Sequence, residues 1–182
     1  MKSIETSYNG HKFRSRLEAR TAVLMDGLKI PYVYEPEGFV FDDGTTYLPD
    51  FYLPNQGSFL ECKGVMDEKD LHKIEMLAKE SGKYVAIMYP DLHFTLGEWT
   101  FDQWEKKFKF VENDSWICKC NKCGKVYFGD ANGLWDCKCC GYYDGEGGFE
   151  VLCYEFEYEL NNPCDAMIKA KKARFEFGEV GK

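Results

Sequence analysis

No apolar run in this sequence approaches the roughly 18 residues that a membrane-spanning helix needs, so a bilayer anchor is not expected. The opening "MKSIETSYNGHKF" has no apolar stretch of the secretory kind, which points to a soluble intracellular chain working in the cytoplasm. No internal repeat and no low-complexity segment is present, and wholesale disorder is not expected. Positive charge is also short overall. A formal net charge of −8 argues against a simple polyanion-coating protein.

The 182 residues are 45% hydrophobic and 16% aromatic, enough for one ordinary domain with a real core plus a small module. The basic residues cluster. Residues 1–31 hold Lys2, Lys12, Arg14, Arg16, Arg20 and Lys29 against Glu5, Glu18 and Asp26. Lys119, Lys122 and Lys125 form a second island, and Lys169, Lys171, Lys172 and Arg174 a third, neither with an acid inside it. Cysteine is abundant, at nine residues, and six of them fall between Cys118 and Cys140. An odd count, crowded in a chain without a secretory signal, favours metal ligation over disulfides.

Hydrophobic periodicity predicts a helix over "RSRLEARTAVLMDGLKI", with Gly27 near its end. Three strand-like segments follow: "PYVYEPEGFVF", "TYLPDFYL" and "SFLECKG". They are separated by the turns "DDGT" and "PNQG". "DEKDLHKIEMLAKESG" reads as an amphipathic helix stopped by Gly82. "KYVAIMY" reads as a strand buried on both faces. "TFDQWEKKFKF" reads as a further short helix, and "PCDAMIKAKKARFEFG" as a final one with Pro163 in its first turn and Gly178 at its end. Composition changes near Asn113. The expected divisions are therefore residues 1–112, a cysteine-rich module over 113–150, and a strand with a basic helix over 151–182.

Within a strand, residues two apart share a face. Glu61 and Lys63 therefore point one way and Cys62 the other, and a neighbouring strand can bring Asp50 beside Glu61. Two adjacent carboxylates repel and call for a cation. Oxygen-only ligands suit Mg²⁺ or Mn²⁺, which lowers the pKa of a bound water and stabilises charge on a phosphate. Lys63 could hold or deprotonate that water, or offset the developing charge. Glu18 could turn inward as a further ligand, or pair with a surface arginine.

Pro49-Asp50 followed by Glu61-Cys62-Lys63 resembles the PD-(D/E)XK nuclease superfamily, and "FRSRLEARTAVLMDGL" resembles the first helix of its phage-encoded and transposase-associated members. The likeness spans roughly residues 8–90. It implies an α/β fold, a mixed sheet flanked by helices with a restriction-endonuclease-like αβββαβ core. It implies Glu18, Asp50 and Glu61 as ligands of the catalytic metal, Lys63 as the catalytic lysine, and DNA as the substrate of an endonuclease in phage recombination or DNA processing. Localisation would then be the bacterial host's cytoplasm. Lys69 and Lys73, one helical turn apart, would by the resemblance flank the site and touch the backbone of the nucleic acid, or form a solvated basic edge. A homodimer would suit cleavage of two strands, though no segment specifies one.

The strongest motif is Cys120-x-x-Cys123-Gly124 with Cys137-x-x-Cys140-Gly141, thirteen residues apart. Each is a knuckle in which glycine lets backbone amides face the sulfurs, and two knuckles make a tetrahedral Cys₄ site for structural Zn²⁺ in a zinc ribbon. Cys118 and Cys139 alternate out of the knuckles, as buried thiols or as an alternative ligand set; an iron–sulfur cluster is the competing occupant. Lys119 and Lys122, with Tyr127, Phe128 and Trp135, could meet a nucleic acid by charge and stacking, or the rings could fill the module's own core. Lys171, Lys172 and Arg174 would add backbone contacts. The reading from another class is a non-catalytic adaptor that binds nucleic acid or protein, with "YEFEYEL" as a contact strand.

Overall fold

The structure, a computed structural model, describes residues 4–102, 105–130, 136–143, 148–153 and 164–175. A two-stranded hairpin, β1 (Thr6–Tyr8) and β2 (His11–Phe13), leads into α1 (Arg16–Leu28). Ser15 caps α1. Its Oγ accepts the Glu18 backbone N–H at 3.1 Å, and the Glu18 carboxylate reaches back to the Ser15 hydroxyl and, one residue earlier than in a capping box, to the Arg14 N–H. Ala19, Ala22, Val23, Leu24 and Met25 bury the inner face. Lys29, at φ 58°, ends the helix in the left-handed region.

β3 (Val33–Tyr34) pairs with β6 (Phe51–Leu53), and β6 with β7 (Ser58–Cys62), all antiparallel. A separate hairpin, β4 (Phe39–Val40) and β5 (Thr46–Tyr47), lies between β3 and β6 in sequence. Its "DDGT" turn places Gly44 at φ +84°. α2 (Glu68–Ser81) starts at Asp67, whose carboxylate accepts the Asp70 N–H at 2.8 Å, and stops at Gly82, φ 64°. It crosses over to β8 (Val85–Met88), which runs parallel to β7 and is buried at all four positions.

The main sheet continues through β9 (Phe94–Asp102) and β10 (Lys107–Cys120) to β11 (Val126–Asp130), with β12 (Phe149–Cys153) also on β10. The fold is thus mixed α/β with three helices among the described residues, α3 (Asp165–Lys172) being the third. Alternate residues serve two cores. Leu60, Ala86 and Met88 join α1 and α3 on one face; Phe59, Val85 and Ile87 join Ile74, Leu77 and Ala78 of α2 on the other.

"TFDQWEKKFKF" is not a helix. Its described residues are the facing ends of β9 and β10, with Asp102 opposite Lys107 and Trp99 opposite Phe110. Phe108 and Phe110 alternate with Lys107 and Lys109, a period of two that the cross-strand ion pair Lys109–Asp102 (2.5 Å) reinforces, while Lys107 pairs with Glu105 in the connecting turn (2.8 Å). Asn113, where composition changes, lies inside β10 and not in a linker. The strand expected over "EVLCYEFEYEL" is described as far as Cys153; its continuation, Pro163 and Gly178 lie outside the described residues. Among the described residues, no helix is long and apolar enough to cross a membrane.

Candidate functional site

A cleft of about 580 Å³ opens beside the start of β6 and the end of β7. Arg14, Glu18, Tyr47, Asp50, Lys63, Asp70 and Lys73 are among its walls. The strand pairing brings Asp50 and Glu61 together, and the Asp50 N–H donates to Glu61 Oε1 at 3.2 Å. Glu61 is fully buried beneath the cleft. Lys63 Nζ lies 3.6 Å from Glu61 Oε2 and 3.5 Å from Asp70 Oδ1, so the expected shared face of Glu61 and Lys63 is realised. Cys62 faces α1, where its Sγ lies 3.3 Å from Thr21 Oγ1.

Glu18 has turned inward. Its Oε1 accepts Ser15 Oγ–H at 2.7 Å, and its Oε2 accepts the Arg14 N–H at 3.0 Å and Tyr34 O–H at 2.7 Å. The helix cap that starts α1 therefore aims this carboxylate at the cleft.

The site concentrates negative charge away from water. Burial, with the nearby charge of Glu18 added, pushes Asp50 up to about 6 against the pull of the Cys62 N–H. Burial and the adjoining Asp50 push Glu61 up to about 8, against Lys63 and the Tyr47 hydroxyl. Burial alone would lower Lys63, but Glu61, Asp50 and Asp70 together outweigh it and raise its pKa. Lys63 is a firm cation here.

Sequence reasoning assigned four residues to this spot and missed several others. Tyr47, on the β4–β5 hairpin, donates its hydroxyl to Glu61 Oε2 and accepts from Lys63 Nζ at 3.3 Å. Asp70, in the first turn of α2, holds Lys63 from the far side. Arg14 spans from the rim to the buried acid: its Nη2 donates to Asp50 Oδ1 at 2.7 Å and its Nε to Glu35 Oε1 at 2.8 Å. "DLHK" on an amphipathic helix was the one available hint for Asp70. Nothing local marked Tyr47 or singled out Arg14 among the basic residues near it.

The donor chemistry fits a hard cation. Asp50 and Glu61 are buried acids, and among the described residues each of their oxygens accepts one close hydrogen bond (Arg14 and Cys62 on Asp50, Asp50 and Tyr47 on Glu61), which leaves lone pairs for a metal. Glu18 keeps a lone pair on Oε1 alone. Among the described residues, only four cysteines bring three or more ligand atoms within 4.8 Å of one another; Glu18 and Asp50 line the cleft and Glu61 lies buried beneath it, and the three do not close that far. Mg²⁺ tolerates this, since it commonly uses one or two carboxylates and retains waters.

Those four are Cys120, Cys123, Cys137 and Cys140. Sγ–Sγ separations of 3.9 Å (Cys120–Cys140) and 3.8 Å (Cys123–Cys137) match the edge of a tetrahedron with sulfurs about 2.3 Å from a central zinc. Such edges leave room for one ion and not for a multi-iron cluster. The knuckles are built as expected. Gly124 and Gly141 sit at φ +68° and +67°. The N–H groups of Lys122 and Cys123 point at Cys120 Sγ (3.3 and 3.4 Å), and that of Cys139 at Cys137 Sγ (3.4 Å). The cluster can hold a metal, and a soft four-thiolate set suits zinc. Cys118 lies outside it, packed on Gly129, and burial pushes its thiol up to about 12. The Cys139 side chain is likewise not part of the set.

The remaining residues are dispersed. Lys73 lines the cleft, while Lys69 is exposed outside it. Lys119 and Lys122 are exposed on the cysteine module, Lys122 Nζ lying 5.0 Å above the Tyr142 ring. Lys171, Lys172 and Arg174 lie on α3 and just beyond it. Tyr127 and Phe128 are buried, so they do not offer faces to a nucleic acid; Tyr127 packs among the cysteines and Phe128 against Phe94. Trp135 and "YEFEYEL" lie outside the described residues. No protein-family model and no curated protein matches this sequence.

Proposed function

We propose that this chain is a metal-dependent endonuclease of the PD-(D/E)XK type, hydrolysing phosphodiester bonds in DNA, with a structural zinc in its cysteine module. The observation that carries the reading is the meeting of Asp50 and Lys63, both on the wall of one cleft, with the Glu61 carboxyl buried beneath it, and the Glu18 carboxylate on the same wall. The order α1, β3, β6, β7, α2, β8 supports an αβββαβ core. A bound Mg²⁺ or Mn²⁺ would supply an activated water and stabilise charge on the phosphate. Asp50 and Glu61 would hold that ion, with Glu18 Oε1 as a further donor. Tyr47 orients the inner oxygen of Glu61. Asp70 and Tyr47 keep the Lys63 ammonium at the cleft, where Nζ can donate to the attacking water or to a phosphate oxygen. Lys73 at the wall adds positive charge for the backbone.

Duplex, branched and single-stranded DNA, and RNA, incubated with Mg²⁺ or Mn²⁺ test the reading. Wild-type protein is expected to cut DNA. Glu61→Gln and Lys63→Met should each lose about 10²-fold or more in rate, with Lys63→Met still binding the cation. A Lys63→Met protein that cuts at the wild-type rate removes Lys63 from the chemistry. DNA binding with no cleavage under any condition would favour a non-catalytic adaptor.

A further inference from the structure

Resting on that reading, we infer that Arg14 is a built-in counter-ion that occupies Asp50 until a divalent cation displaces it, and then takes a phosphate oxygen of the substrate. Asp50 is almost wholly buried, with 9% of its side chain exposed, and its partner Arg14 is half exposed at 49%. The guanidinium therefore reaches from solvent to the acid, and it alone among the cleft's cations bonds Asp50 directly, among the described residues. A cation ligated by Asp50 Oδ1 must share or replace that contact.

The second arm of the guanidinium fixes where Arg14 goes. Its Nε is held by Glu35, whose side chain is one-third exposed. Glu35 sits at φ 45°, a left-handed conformation uncommon for a residue other than glycine, and its N–H donates to Asp50 O at 2.8 Å. The backbone that pairs with Asp50 thus turns sharply enough to present a carboxylate to Arg14. Released from Asp50, Arg14 stays tethered at the mouth with its planar N–H fork free, the group best suited to phosphate oxygens. Cation binding and nucleic-acid binding are coupled through this one side chain. Arg14 acts first through Asp50, before the substrate arrives, and then on the phosphate directly.

The test uses zinc-loaded full-length protein and Mn²⁺ binding followed by electron paramagnetic resonance, with Asp50→Asn marking the binding that belongs to the cleft. Arg14→Gln should tighten Mn²⁺ binding about tenfold, the scale of one charge-assisted hydrogen bond. Arg14→Lys should tighten it as well, because an ammonium cannot bridge Glu35 and Asp50 together. In the nucleic-acid arm, saturating Ca²⁺ should strengthen duplex binding by wild type, and Arg14→Gln should lose about tenfold of that enhancement. Circular dichroism and zinc content establish that each variant is folded. If Arg14→Gln binds Mn²⁺ as wild type does while Asp50→Asn does not bind it, the counter-ion inference falls and the metal site stands. If Arg14→Lys matches wild type while Arg14→Gln tightens, charge alone acts and the clamp is wrong. If wild type and Asp50→Asn bind Mn²⁺ identically, the cleft is not a cation site and the underlying reading falls with the inference.

Discussion

Glu61 shows what one buried side chain imposes on the molecule around it. Its carboxyl is raised from an ordinary 4.5 to about 8, chiefly by burial and then by Asp50. The unfolded chain gives up this proton near the ordinary value. Between the two values the folded state binds more protons than the unfolded one, so stability is greatest at the acid end and falls as pH rises toward about 8. Asp50, raised to about 6, adds to the same trend over a lower range. In zinc-replete buffer without other divalent cations, the loss from about pH 6 to 8.5 should be on the order of 2 kcal/mol, or about 5 °C in Tm. Glu61→Gln should flatten that slope, and Mg²⁺ should offset it in wild type only. Thermal scans across this window decide the matter; a Tm that rises with pH would mean Glu61 is ionised throughout.

At the level of elements, the packing of α1 against α3 turns on a residue with no side chain. Gly27 lies within α1, where alanine ordinarily stabilises a helix by about 1 kcal/mol. A Cβ at Gly27 would sit only 2.8 Å from Ala166 Cβ, so alanine there must push the two helices apart. Gly27→Ala is therefore expected to destabilise by about 1–3 kcal/mol, as overpacking does. Pairing it with Ala166→Gly should recover most of the loss in thermal or denaturant unfolding. A Gly27→Ala protein more stable than wild type would show that α3 has room to move. Gly97 serves the β9–β10 pair in a similar way, since the Phe110 ring lies directly over the space a Cβ would fill.

Across the whole molecule, the cysteine module is tied to the sheet that carries the cleft. The Gln56 amide, in the β6–β7 turn, pairs with Phe128 on both sides: its Nε2 donates to Phe128 O at 2.9 Å and its Oε1 accepts the Phe128 N–H at 3.0 Å. Lys138, within the second knuckle and only 4% exposed, lies 4.6 Å from the Tyr84 ring and 3.4 Å from Asp136. β10 itself runs unbroken from one region to the other. Zinc held by the four cysteines should therefore support the core as well as the module. Metal analysis is expected to find one zinc per chain, and Cys123→Ser or prolonged chelation should lower Tm by about 5 °C or more. Cys118→Ser should leave zinc content unchanged. Loss of zinc in that variant would shift the ligand set, and unchanged Tm after complete zinc removal would mean the module is energetically separate.

The features legible in the sequence are those settled within a few residues. A Cys-x-x-Cys-Gly knuckle closes on itself through a glycine at positive φ and amides aimed at a sulfur, so spacing alone determines it. The two-residue period of β7 likewise puts Glu61 and Lys63 on one face, and Asp67 and Gly82 bound α2 through local caps. Tertiary structure decided what depends on distant partners. Arg14 meets Asp50 across 36 positions and Tyr47 meets Glu61 across 14, contacts that no local pattern encodes. "TFDQWEKKFKF" mixes charges and aromatics in a way that suits either period, and the long partner strands β9 and β10 settled it as sheet. Tyr127 and Phe128 were open to stacking or to burial until the docking of the module enclosed them. Gly27, which reads as a stop signal, is a contact point because Ala166 of α3, 139 positions away, presses against it; the true stop is Lys29, in the left-handed region with its N–H returned to the last carbonyls of the helix, at a residue type that does not announce such a cap.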